Sequence, residues 1–139
     1  MDRRLARKET FGLLFEYSFQ EEKTADAIFE HAMQARDFEP DDFVTRIVEG
    51  VISNLAELDQ TIEMHLKDWR KNRLSRVALT ILRMAIYELR FMDDVPDRVS
   101  INEAVELAKI FGNDKDAPFV NGVLGNVARS ASADNGAEE

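Results

Sequence analysis

The sequence has no cysteine, which excludes disulfides, thiolate metal sites and cysteine nucleophiles together. Proline (3 residues) and glycine (6) are scarce in a chain of 139, so the frequent turns of a many-stranded domain are missing and helix is favoured. Histidine occurs only at positions 31 and 65, and neither stands four residues from another nor in a Glu-x-x-His arrangement, so no metal site is expected. There is no phosphate-cradling glycine loop and no G-x-S-x-G elbow, and Glu103 with Glu106 has no partner acid or base. No apolar run approaches the ~18 residues that a membrane helix needs. The charged opening MDRRLARKE is no secretory leader, so a cytoplasmic protein without membrane contact is expected. Nothing assembles a nucleophile, a base and an oxyanion donor. No enzyme activity and no cofactor are expected, and the functional residues should be surface contacts.

What is present is charge, unevenly spread. The formal net charge of -9 argues against general affinity for nucleic acid, because polyphosphate binding rests on Lys and Arg. Two basic islands nevertheless stand on the acidic chain. Arg3, Arg4, Arg7 and Lys8 are opposed only by Asp2 and Glu9, and Lys67, Arg70, Lys71, Arg73, Arg76, Arg83 and Arg90 only by Asp68 and Glu88. A local, selective contact to RNA or to a partner needs such islands, whereas chance clustering on solvated helix faces would produce them too.

The apolar pattern is helical from end to end. Residues 3–19 read as a helix buried at its far end, and Thr24 can cap a second one carrying Ile28, Phe29, Ala32 and Met33. After Pro40, Asp41 and Asp42, the residues Val44, Ile47, Val48, Val51, Leu55, Leu58 and Ile62 form a stripe. That stripe fits one long helix or two consecutive ones, with Gly50 and Ser53-Asn54 as the places to bend or split. Residues 75–91 are apolar on most sides, as a central helix should be, except for Arg76, Thr80, Arg83, Tyr87 and Arg90, which share one face. Ser100 and Glu103 have the spacing of a capping box that would start a helix at Ser100. Gly112 is placed to end that helix in a left-handed conformation. Asp114 or Asp116 can cap the last helix, where Val120, Val123, Leu124 and Val127 face inward and the glycines of FVNGVLG are expected to serve close helix packing. The expected architecture is all-α with six or seven helices, one domain over residues 1–131, and a disordered acidic tail over 132–139.

Three strings, ILRMAIYEL at 81–89, VSINEAVELAKIFG at 99–112 and FVNGVLG at 119–125, together resemble the NusB transcription-antitermination family in order and spacing. The R-x-x-A-R start leading into an aromatic-rich helix is similar to that family as well. The resemblance is strongest from Trp69 to Val127 and weak between residues 20 and 65. It departs at Ala117-Pro118, where the family more often has a polar and then a basic residue. A free-standing factor is expected rather than the NusB-like domain of ribosomal RNA cytosine methyltransferases, because little sequence follows the last helix.

The resemblance implies two packed three-helix bundles and an RNA-binding adaptor. Such a protein pairs with the small-subunit ribosomal protein NusE on boxA-type single-stranded RNA, joins the RNA polymerase antitermination complex, and suppresses termination on ribosomal RNA operons. Arg3, Arg4, Arg7 and Lys8 are the expected phosphate contacts, since an arginine-rich helix start supplies both charge and free N–H groups. Phe119 is open between core and base stacking from sequence alone, and the resemblance favours stacking. Arg76, Tyr87 and Arg90 are candidates for a partner-binding face, with Arg83 better suited to internal pairing. A protein-only scaffold, or a homodimer whose basic islands meet acidic surfaces, is the alternative.

Overall fold

Local capping signals set the start of most helices. Asp2 accepts a hydrogen bond from the Leu5 N–H at 2.8 Å, Thr24 from Ala27 at 3.1 Å, Asp41 from Val44 at 3.0 Å and Ser75 from Ala78 at 3.0 Å. The structure, a computed structural model, describes residues 2–35, 41–66 and 74–138, with side chains through residue 131. The helices are α1 (Arg3–Ser18), α2 (Ala25–Ala35), α3 (Asp42–Ser53), α4 (Leu55–Met64), α5 (Arg76–Phe91), α6 (Asp97–Phe111) and α7 (Asp116–Glu138). No strand occurs among the described residues.

The long apolar stripe divides at Asn54. Its backbone N–H and its side-chain amide both donate to the Gly50 carbonyl, at 3.0 and 2.8 Å, which closes α3 and turns the chain into α4. The stripe stays in register across the break, so Val44, Ile47, Val48, Val51, Leu58 and Ile62 are all fully buried.

Two local expectations are corrected. The capping box does not form: α6 begins at Asp97 behind Pro96, whose φ of -61° suits a helix start, and Ser100 lies inside the helix. Ser100 and Glu103 each find a distant partner instead. Gly112 is extended (φ -103°, ψ -171°) rather than left-handed, and a Cβ there would stand 2.4 Å from an Asp116 oxygen, so a close approach explains the glycine. On α2, Ile28, Phe29 and Ala32 are buried and Met33 is exposed. The backbone of α7 runs on through 132–138, the segment that the sequence suggests is a disordered tail.

Helices α1, α2 and α3 pack on one another, as do α5, α6 and α7, while α4 lies against α3 and α5. Helix α5 also touches α1, and ten of its sixteen residues are buried, so it is shared by both bundles. Leu13, Ile47, Leu58, Ile81, Leu82, Ile86 and Leu124 meet in one core with essentially no exposure. Truncating any of them to Ala should cost about 2–5 kcal/mol.

Candidate nucleic-acid interface

Helix α1 opens with charged residues, and helical periodicity sorts them into two groups. Ala6, Arg7 and Thr10 point inward, whereas Arg3, Arg4 and Lys8 stay exposed. Arg7 therefore departs from its expected role. It is 4% exposed, and its guanidinium grips Glu88 of α5 through two hydrogen bonds of 3.1 and 2.7 Å. The Ser100 hydroxyl donates to the same carboxylate at 3.0 Å, so α1, α5 and α6 converge on one buried anion. Two-pronged, charge-assisted contacts of this kind fix orientation as well as energy. With its fork committed inward, Arg7 is a structural residue. The missed signal was Glu88: a carboxylate inside the apolar string ILRMAIYEL has to be paired if that helix is central.

The other three residues form an outer rim. The Arg3 guanidinium rests 4.1 Å over the ring of Phe43, while Lys8 has no ion pair among the described residues. Arg4 donates to Glu103 at 3.1 and 3.3 Å, and that hydrogen bond, with the charge of Glu103, raises its pKa. Asp2 takes the Leu5 N–H, so one of the backbone donors at this helix start is already used.

Phe119, in the first turn of α7, is 37% exposed, which decides between core and surface. On one side of the neighbouring Pro118 lies a concavity bordered by Arg4, Glu103, Lys109 and Asn121. On the other lies a groove of about 750 Å³ bordered by Phe119, Lys115, His65, Gly122 and Arg129. Pro118 borders both, so the basic start of α1 and the aromatic of α7 lie on adjoining parts of one surface.

The polar stripe of α5 proves to be mixed. Arg83 is buried and donates to Asp59 at 2.8 and 2.8 Å and to Glu21 at 3.1 Å. Burial works against its charge, but Asp59 and Glu21 outweigh it and hold the guanidinium above its ordinary pKa. Tyr87 is buried too: its ring stacks on Phe91 with centroids 5.0 Å apart and presses on Gly50, where a Cβ would come within 2.1 Å of it. It thus lies in the seam between α3 and α5 rather than on a free partner face. Arg76 and Arg90 are exposed. Arg76 donates to the Ser18 carbonyl at 2.6 Å and sits 4.3 Å over Phe19, which is 59% exposed. Phe19 ends a row of rings, Phe111 on Phe11 at 4.5 Å, Phe11 on Phe15 at 5.4 Å and Phe15 edge-on to Phe19 at 5.2 Å. Lys67, Arg70, Lys71 and Arg73 of the second basic island lie outside the described residues.

Two interlocked helical bundles sharing α5, with basic and aromatic side chains on one rim, define an all-α bundle protein. The chain belongs to the NusB family, whose sequence pattern it matches over residues 4–129. It is 44% identical over 128 residues to the transcription antitermination protein NusB of Listeria monocytogenes, covering 92% of this chain and 97% of that protein. Its fold is similar to that of NusB of T. maritima (TM-score 0.81, 34% identity, 93% of this chain and 92% of that one). It also resembles a chain in a crystal structure of the antitermination factors NusB and NusE with double-stranded RNA (TM-score 0.80, 24% identity, 92% and 96% covered), a likeness of fold.

Proposed function

We propose that this chain is a cytoplasmic transcription antitermination factor, not an enzyme. It pairs with the small-subunit ribosomal protein NusE on boxA-type single-stranded RNA, joins the RNA polymerase antitermination complex and suppresses termination, notably on ribosomal RNA operons. The observation that carries the RNA reading is the exposed Phe119 on a surface adjoining Arg4, close to Arg3 and Lys8, in a chain of net charge -9. Basic groups hold the backbone and an exposed ring offers a stacking platform to an unpaired base. Family membership and relatives named as antitermination proteins support the same reading. Arg76 on the exposed Phe19 supports a protein-binding face at the other end of α1, separate from the RNA rim.

The test is an RNA titration at several salt concentrations. BoxA-type RNA should bind weakly to the chain alone and more tightly with NusE, because the acidic remainder limits its own affinity. Lys8→Ala and Arg3→Ala should each flatten the logarithmic salt dependence by about one unit. RNA affinity that neither NusE nor these substitutions change would overturn the reading in favour of a protein-only scaffold or homodimer.

A further inference from the structure

Glu103 has no capping duty once α6 starts at Asp97, and its carboxylate faces the basic start of α1 instead. Arg4 donates to it from Nε at 3.3 Å and from Nη2 at 3.1 Å, so one edge of the guanidinium fork is taken while the side chain as a whole stays 64% exposed. Glu103 itself is only 19% exposed, which keeps the counter-charge in place beneath the cation. One turn further along α6, Glu106 pairs with Lys109 at 3.4 Å. Arg4, Glu103, Glu106 and Lys109 all border the same concavity between α1, α6 and α7.

A surface built only to draw phosphate would leave its cations open, since attraction for a polyanion rests on Lys and Arg whose charge is not cancelled. Here Arg4 and Lys109 each carry a carboxylate supplied by α6. The rest of the rim differs, with Arg3 over the ring of Phe43 and Lys8 without an ion pair among the described residues. The rim therefore holds cations of two kinds, some open and some already answered.

We propose that Glu103, backed by Glu106, is a built-in counter-charge that competes with RNA phosphate for Arg4 and so limits how tightly this rim holds RNA on its own. The proposal rests on the RNA-binding reading above and adds to it a residue that opposes binding. A phosphate arriving at Arg4 meets a carboxylate already on the fork, so the contact either breaks the pair or sets two anions side by side. The restraint acts alike on every RNA sequence, because a phosphate contact carries no base information. Tight binding must then come from contacts that the restraint does not touch, those to bases and to the protein partner.

The experiment is fluorescence anisotropy over a range of salt with two labelled single-stranded RNAs of equal length, one boxA-type and one a uridine oligomer. It is run on the wild type, Glu103→Gln, Arg4→Ala and the double variant. Glu30→Gln controls for net charge: it lies on α2, whose His31 pairs at 2.9 Å with Glu16, about 18 Å along α1 from Arg4 and beyond the ~8 Å screening length. Glu103→Gln should tighten both RNAs roughly three- to fivefold, the scale of an exposed ion pair, and steepen the logarithmic salt dependence by about one unit. In the Arg4→Ala background the same substitution should lose most of that gain, because the cation it competes for is gone. Glu106→Gln should give a smaller gain in the same direction and serves if Glu103→Gln melts early. Unchanged or weaker RNA binding by Glu103→Gln overturns the proposal and makes the pair a support that positions Arg4. A gain that Glu30→Gln matches, or that survives in the Arg4→Ala background, is an effect of overall charge and overturns it as well. Absence of salt-dependent RNA binding in the wild type and in Glu103→Gln alike overturns the RNA reading itself.

Discussion

Replacing Arg7 by Met keeps the length of the side chain and removes its charge, which strands Glu88 in a site where both partners are no more than 4% exposed. Removing one member of a buried pair costs about 3–5 kcal/mol, because the survivor remains out of water with nothing to balance it. The stranded carboxyl can escape by taking up a proton, and protonating an ordinary glutamate at pH 7 costs about 3.7 kcal/mol, which caps the loss. The Ser100 hydroxyl can stay hydrogen-bonded in either form, so no further orphan is created. At about 3–4 °C per kcal/mol for a chain of this size, the melting temperature should fall by about 10–15 °C. Adding Glu88→Gln to Arg7→Met should recover most of that fall, since an amide carries no charge to bury and can still meet Ser100. Differential scanning calorimetry on the two single variants and the double measures all of this. RNA affinity at a temperature where all three are folded should match the wild type. An Arg7→Met protein that melts normally yet binds RNA more weakly, with a flatter salt slope, would refute the argument and return Arg7 to the phosphate surface.

Two further outcomes follow from the seam around α5. Arg83→Ala should cost about 2 kcal/mol, less than Arg7→Met because Glu21 is 42% exposed and water can take over there, whereas Arg76→Ala should barely change folding but weaken NusE binding; equal falls in melting temperature with unchanged partner affinity would make both arginines structural. Gly50→Ala should destabilise by about 1–2 kcal/mol in urea titration despite the better helix former, because the Tyr87 ring occupies the space of the new methyl, and Tyr87→Leu should relieve the clash; a midpoint that rises for Gly50→Ala alone contradicts that packing.

The helices were legible in the sequence because their signals are local. Thr24 and Asp41 cap where their position before an apolar run says they should, and the stripe from Val44 to Ile62 buries as its spacing requires. Ser100 misled because the capping-box spacing says nothing of what lies across the core. A buried Glu88 eighty-one residues from Arg7 in the chain competes for the Ser100 hydroxyl, and Pro96 can start the helix without it. The same distance in sequence hid the division of the first basic island: four neighbouring cations look equivalent until the helix turns Arg7 inward. Tyr87 is illegible for a related reason, since whether a polar face meets solvent or another helix is a tertiary fact. The glycines of FVNGVLG show the limit most plainly, because a missing side chain reads alike whether a helix or a groove stands in front of it.

The pairing of Arg7 with Glu88 has a consequence for its neighbours on α1. Arg3, Arg4 and Lys8 flank a residue that is fastened to the core, and Arg4 is further tied to Glu103 on α6, so the first two turns of α1 cannot fray independently of the bundle. A molecule docking on that rim meets a row of cations whose backbone spacing was settled during folding. Little conformational entropy remains to be lost on contact, and partners whose charges do not match the row gain nothing from its adjusting to them.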